Sequence, residues 1–162
     1  MTAIQKEVWD KMLTVQLDEL YWSKKAVSIS LWLKAIQFAA AILGCAALVS
    51  FFTGPEFSFL KSILGLLAAV LALILSTFDL RGALYQVEET KRKYAALYTK
   101  FEQLWMEIQL GRLPEEEILA KLNPLLEALG EVEEPKVIDS KRLKEKAFKE
   151  ICNARGLREA NA

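Results

Sequence analysis

The stretch FFTGPEFSF, Phe51 to Phe59, decides how this chain is read. It carries Gly54-Pro55, a strong turn signal, between two long apolar runs, so it is either the tip of a membrane hairpin or a tight turn inside a soluble bundle. No charged residue occurs from Ala35 through Pro55, and a second uncharged run extends from Ser62 through Phe78. At ~1.5 Å per helical residue these runs cover about 30 Å and about 25 Å, against a hydrocarbon core of about 30 Å. The segment LGLLAAVLALIL is apolar around the whole helix circumference and lacks the polar face of a surface helix. A soluble two-helix core would need most of the remaining chain as its cover. The expected fold class is therefore all-α and integral membrane: a two-transmembrane hairpin whose second span continues into a long cytoplasmic helix, followed by a C-terminal helical bundle.

The charges outside these runs set the layout. Lys plus Arg number 21 and Asp plus Glu 21, for a net charge of zero, but the middle third is nearly uncharged and both ends are dense in charge. The reading divides the chain into an N-terminal cytoplasmic or interfacial helix (1–25), a first span (26–53), an extracytoplasmic turn (54–58), a second span (59–80) and a cytoplasmic helical region (81–162). Lys24, Lys25 and Lys34 flank the first span and Arg81, Lys91, Arg92 and Lys93 follow the second, whereas the connector offers Glu56 and, at its edge, Lys61. By the positive-inside rule both termini are expected in the cytoplasm of a bacterial inner membrane. The polar-rich start, Met1 to Lys25, does not read as a cleaved presequence. Only Cys45 and Cys152 are present, in unlike surroundings, which fits a reducing compartment and no disulfide scaffold.

Periodicity predicts the helices. Ile4, Val8, Met12 and Val15 form one stripe over residues 4–24, with Trp9, Leu13 and Leu20 beside it. Beyond the second span, Leu84, Val87, Tyr94, Tyr98, Phe101, Trp105 and Ile108 recur by threes and fours, interrupted at Lys91, which predicts one helix of roughly 50 residues leaving the membrane as a stalk. Gly111 ends it. A further helix starts at Pro114 with Glu115, Glu116 and Glu117 complementing its positive end; Asn123-Pro124 kinks or splits it, and Gly130 stops it. Asp139-Ser140 caps a last helix that Gly156 closes.

The available chemistry is thin. There is no histidine, and no cysteine cluster, Gly-rich phosphate loop or nucleophile elbow, so neither catalysis, a metal nor a cofactor is expected. The Glu115–Glu117 triplet reads better as helix-end charge than as a metal site, because consecutive helical positions point apart.

The spans carry polar and small residues in register. Lys34, Gln37, Ala41 and Gly44 share a stripe in the first and are the candidate pore lining; Gly65, Ala69, Ala72, Ser76 and Asp79 share one in the second and are the candidate packing seam. Polar groups at membrane depth are costly and face protein or water. Two helices cannot enclose a water path, so a pore requires several subunits, with four as the working number. Outside the spans, Lys91, Arg92, Lys93, Tyr94, Tyr98 and Lys100 interleave cations with aromatic rings, a mixture that can hold phosphates and stack bases, or else be a solvated face near anionic lipid.

This layout resembles the SLATT family of bacterial conflict-system effectors. The residues behind the resemblance are YWSKKAVSISLWLKAIQFAAAIL, the turn FTGPEFSF, and STFDLRGALYQVEETKRKYAALYTKFEQLW. It implies a two-span pore that depolarises and arrests an infected cell, linked to nucleotidyltransferase-type partners and controlled by a nucleotide or short oligonucleotide. With no room for a separate sensor domain, the ligand would bind the cytoplasmic helices or a partner would sense it. The alternative is a membrane-anchored scaffold that recruits a cytoplasmic partner.

Overall fold

The computed structural model describes residues 1–52, 58–77, 79–135 and 139–156, and the side chains of these except 46–52, 58, 60–61 and 75–77. The expected turn at Gly54-Pro55 lies outside the described residues. Among them the chain is all-helical: α1 (Ala3–Phe52), α2 (Ser58–Thr77), α3 (Leu80–Gln109), α4 (Glu115–Gly130) and α5 (Lys141–Arg155). Two compact units result. One comprises residues 1–26 and 85–162, the other residues 27–84.

The 50-residue helix occurs, but as α1 rather than as the second span with its extension. The second arm is interrupted at Asp79. There the Gly82 amide donates to Asp79 Oδ1 at 2.8 Å and the Ala83 amide to the Asp79 carbonyl at 2.9 Å, so Asp79 caps α3. A Cβ at Gly82 would meet the Asp79 carboxylate, which would have to turn aside and loosen this cap. A residue expected in a packing seam is thus a helix start.

The larger unit is a helical bundle with an apolar core. Val8, Met12 and Val15 of α1 are buried, as are Ile118 and Leu122 of α4 and Ala147, Ile151 and Cys152 of α5. From α3 the buried residues are Val87, Thr90, Tyr94, Leu97, Phe101, Leu104 and Ile108. These step by alternate threes and fours, the register of a helix facing another helix. Lys91 does not break this seam, because Thr90 takes the place, and Leu97 and Leu104 replace the expected Tyr98 and Trp105. The two aromatic residues flank the seam instead. Trp105 stands against Trp9 with ring centroids 5.0 Å apart, and Arg155 lies over the Trp9 ring.

The helix ends follow local chemistry. Gly111 adopts φ +63° after α3, and the Arg112 amide reaches back to the Glu107 carbonyl. Pro124 sits inside α4, which runs unbroken from Glu115 to Gly130, so no split occurs; Gly130 is its last residue, as expected, and the Glu131 amide closes the end. Ser140 caps α5 through its backbone, and Gly156, at φ +62°, closes it.

Residues 27–84 have the opposite character. None of their described residues is buried, and Leu31, Trp32, Phe38, Leu66 and Leu73 are each at least 60% exposed. Helix α1 is long and apolar enough to cross a membrane by length and composition, and α2 contains a shorter apolar stretch, Ser62–Ile74.

Candidate functional site

Three places bear on function. The first is the surface of the 27–84 unit. Leu33, Ile36, Ala40 and Leu43 of α1 and Leu64, Ala68 and Leu71 of α2 are half-covered, at helical spacing. Lys34, Gln37, Ala41 and Gly44 lie outside that covered face and are exposed. Gly65, Ala69 and Ala72, the candidate packing seam, are exposed as well, so that seam is not filled within a single chain. The covered face of α2, Leu64, Ala68 and Leu71, lies one residue earlier. A Cβ added at Gly44 or Gly65 would meet nothing within 4 Å. Both polar or small stripes are therefore left uncovered by the chain itself; the Ser76 side chain lies outside the described ones.

The second place is the basic, tyrosine-bearing part of α3. Arg92 and Lys100 are exposed and Lys91 is half-buried. Lys93 is paired with Glu89 at 2.9 Å, one helical turn away, and that carboxylate holds its ammonium above the usual range. Tyr94 is only 4% exposed and its hydroxyl donates to Glu134 Oε1 at 3.2 Å. Burial, with the charges of Asp18 and Glu134, raises its phenol. Tyr98 donates to Glu102 at 3.0 Å and accepts from Arg155 Nη2 at 3.2 Å; burial, with Glu102, raises its phenol too. Of the two rings offered as stacking candidates, Tyr94 is buried and Tyr98 half-buried. Tyr94 fills the seam, and Tyr98 is engaged beside it. A surface cavity of about 510 Å³ alongside is lined by Glu89, Glu133 and Glu134 as well as Lys93, so its charge disfavours phosphate.

The third place was not foreseen. Where the α4–α5 connection meets α1, a cavity of about 140 Å³ is lined by Asp18, Tyr21, Trp22, Glu134, Pro135, Asp139 and Lys144. Tyr21 donates to Asp139 Oδ1 at 2.7 Å and accepts from the Ser140 amide at 3.3 Å. Burial, then the bond to Asp139, pushes the Tyr21 phenol up to about 12, while the same bond holds the Asp139 carboxyl below its usual range. Lys144 lies over the Tyr21 ring at 5.3 Å and 3.7 Å from Asp139. Burial first, then the charge of Glu134, pushes Asp18 up to about 6, against the attraction of Lys144. The indole Nε1 of Trp22 is buried without a hydrogen-bond partner among the described residues. A sequence signal existed: Asp18 stands between Val15 and Trp22 at the three-then-four step where the α1 stripe calls for an apolar residue.

Among the described residues no group of His, Cys, Asp and Glu could hold a metal ion. Comparison of the chain with family models, with curated proteins and with solved structures found no match.

Proposed function

We propose that residues 27–84 form a two-span membrane hairpin and that several copies assemble into a homo-oligomeric pore of a bacterial cytoplasmic membrane. The bundle, with both termini, stands on the cytoplasmic side. One observation carries this reading: the 27–84 unit buries none of its described residues, yet exposes large apolar side chains together with Lys34 and Gln37. Lipid accounts for the apolar surface. It does not account for Gln37, since an amide placed in hydrocarbon without a partner costs roughly 2–7 kcal/mol. Neighbouring copies, or water in a path between them, relieve that cost for Gln37 and let the small residues Gly65, Ala69 and Ala72 pack closely.

Gating by a nucleotide or short oligonucleotide follows from the resemblance to SLATT proteins, with a nucleotidyltransferase-linked partner as its source. If the ligand meets this chain on α3, Lys91, Arg92 and Lys100 hold its phosphates without help from the engaged tyrosines. The ligand moves the gate only as far as its affinities for the open and closed states differ. Opening would depolarise the membrane and arrest growth.

A membrane-anchored scaffold is the second reading, favoured by Met106 and Leu110, one turn apart and both at least 50% exposed. Current across a planar bilayer holding purified protein separates the two, recorded with and without cyclic dinucleotides and short DNA or RNA oligomers on the bundle side. Current steps switched by a nucleotide support the gated pore. Silence from folded protein under every addition supports the scaffold.

A further inference from the structure

We propose that copies of this chain meet through one face of the 27–84 unit, on which Lys34 of each copy pairs with Asp79 of its neighbour. This rests on the reading of that unit as a membrane hairpin that assembles with itself, and it names the face and the contact.

The face follows from register. Lys34, Gln37, Ala41 and Gly44 each come one residue after a half-covered residue of α1, and Gly65, Ala69 and Ala72 one residue after a half-covered residue of α2. One residue is a turn of about 100° around a helix, so each stripe is displaced from its covered face by the same angle in the direction of the chain. The two helices share one compact unit and only residues 53–57 separate them, so they run side by side in opposite directions. Equal rotations along antiparallel helices are opposite in space. Both stripes therefore come to the same side of the hairpin, while Leu31, Phe38, Leu66 and Leu73, all at least 60% exposed, fall outside it.

Depth matches as well. Measured from the helix end at Phe52, Lys34 lies about 27 Å back along α1. Helix α2 ends about 29 Å from its start at Ser58, with Asp79 two residues further on, a difference that the long lysine stem spans. Ala41 and Ala69 both lie about 17 Å in, and Gly44 and Gly65 about 12 Å and about 11 Å. In a cyclic assembly that turns this face inward, α1 of one copy neighbours α2 of the next, so these residues meet at equal depth. A Cβ added at Gly44 or Gly65 meets nothing within 4 Å, which leaves room for the neighbouring backbone.

Charge selects a second copy as the occupant. Lys34 is exposed and enters none of the ion pairs formed among the described residues. Asp79 is exposed too; one carboxylate oxygen accepts the Gly82 amide, which leaves the other to accept an ammonium. A lone charge beside hydrocarbon is costly, and pairing relieves it. The face carries a cation and an anion at one level, so a second copy complements both, whereas an anionic lipid would satisfy Lys34 alone.

Disulfide cross-linking in membranes tests this. In a background lacking Cys45 and Cys152, chains carrying Ala41→Cys are co-expressed with differently tagged chains carrying Ala69→Cys, so a mixed dimer arises only between copies. The expected result is a mixed dimer from this pair and none from Phe38→Cys with Leu73→Cys, which lie at similar depth outside the face. Lys34→Glu and Asp79→Lys, each added to both chains, should lower the yield roughly fivefold, the scale of coupling between charges in contact, and the two together should restore it. Asp79→Lys also removes the cap on Gly82, but the double variant lacks that cap too, so its recovery reports charge alone. No mixed dimer from the first pair, as much product from the second, or a double variant no better than the single ones would overturn the proposal. External labelling of Glu56→Cys in the same cells reports the hairpin separately. Labelling without the mixed dimer leaves the hairpin standing and removes this face; protection of Glu56→Cys removes both.

Discussion

Tyr94 separates a core residue from a ligand-stacking one, and its two truncations should differ by an amount that the structure sets. Replacing Tyr94 by Phe keeps the ring in the α3 seam and removes one hydroxyl whose bond to Glu134 is 3.2 Å long, a loss of about 1 kcal/mol. Replacing it by Ala empties a side chain that is 4% exposed between Thr90 and Leu97, at a cost of about 3–5 kcal/mol for an aromatic-to-alanine truncation in a core. For a unit of ~100 residues each kcal/mol moves the midpoint by about 4–8 °C. Tyr94→Phe should thus lose about 5 °C and Tyr94→Ala at least ~12 °C. The assay is thermal unfolding of detergent-solubilised protein followed by tryptophan fluorescence, to which Trp9, Trp22 and Trp105 of the bundle contribute. A Tyr94→Ala protein as stable as the wild type would refute the placement of this ring in the core and return it to the list of stacking candidates.

Two further outcomes follow from local geometry. Asp79→Ala removes the side-chain cap on Gly82 and should cost about 1 kcal/mol, read as faster amide exchange in the first turn of α3 with the rest of that helix unchanged. Cys152 is buried in the bundle and Cys45 is exposed. In detergent, N-ethylmaleimide should therefore modify Cys45 while sparing Cys152 until the bundle unfolds, and equal rates in folded protein would contradict the packing of α5.

Much of the helical plan could be read from spacing, and the misreadings have physical causes. The stripe Val8, Met12, Val15 predicted a buried face because nothing polar competes for those positions, and all three are buried. Gly111 was legible as an end because only the left-handed region, here φ +63°, lets the chain turn there. The break at Asp79 was hidden by the good helix formers around it, although aspartate is a favoured helix cap. The α3 seam was misplaced at two positions because Tyr98 and Trp105 look like core by hydrophobicity yet carry polar atoms that favour the flank, where Tyr98 meets Glu102 and Arg155. Gly130 was legible as the end of α4, although the closing carbonyls are met by the Glu131 amide without a left-handed residue. The acidic cavity was invisible because Glu134 and Asp139 reach Asp18 from more than a hundred residues away, although an aspartate in an apolar register was on view.

The central claim is that residues 27–84 cross the membrane twice and leave the bundle inside. Its most direct test is labelling of single cysteines in intact cells by a membrane-impermeant maleimide, in a background lacking Cys45 and Cys152. The account predicts that Glu56→Cys is labelled from outside, while Lys6→Cys and Lys141→Cys react only after permeabilisation. Labelling of Lys6→Cys or Lys141→Cys in intact cells, or protection of Glu56→Cys until they are opened, would contradict it.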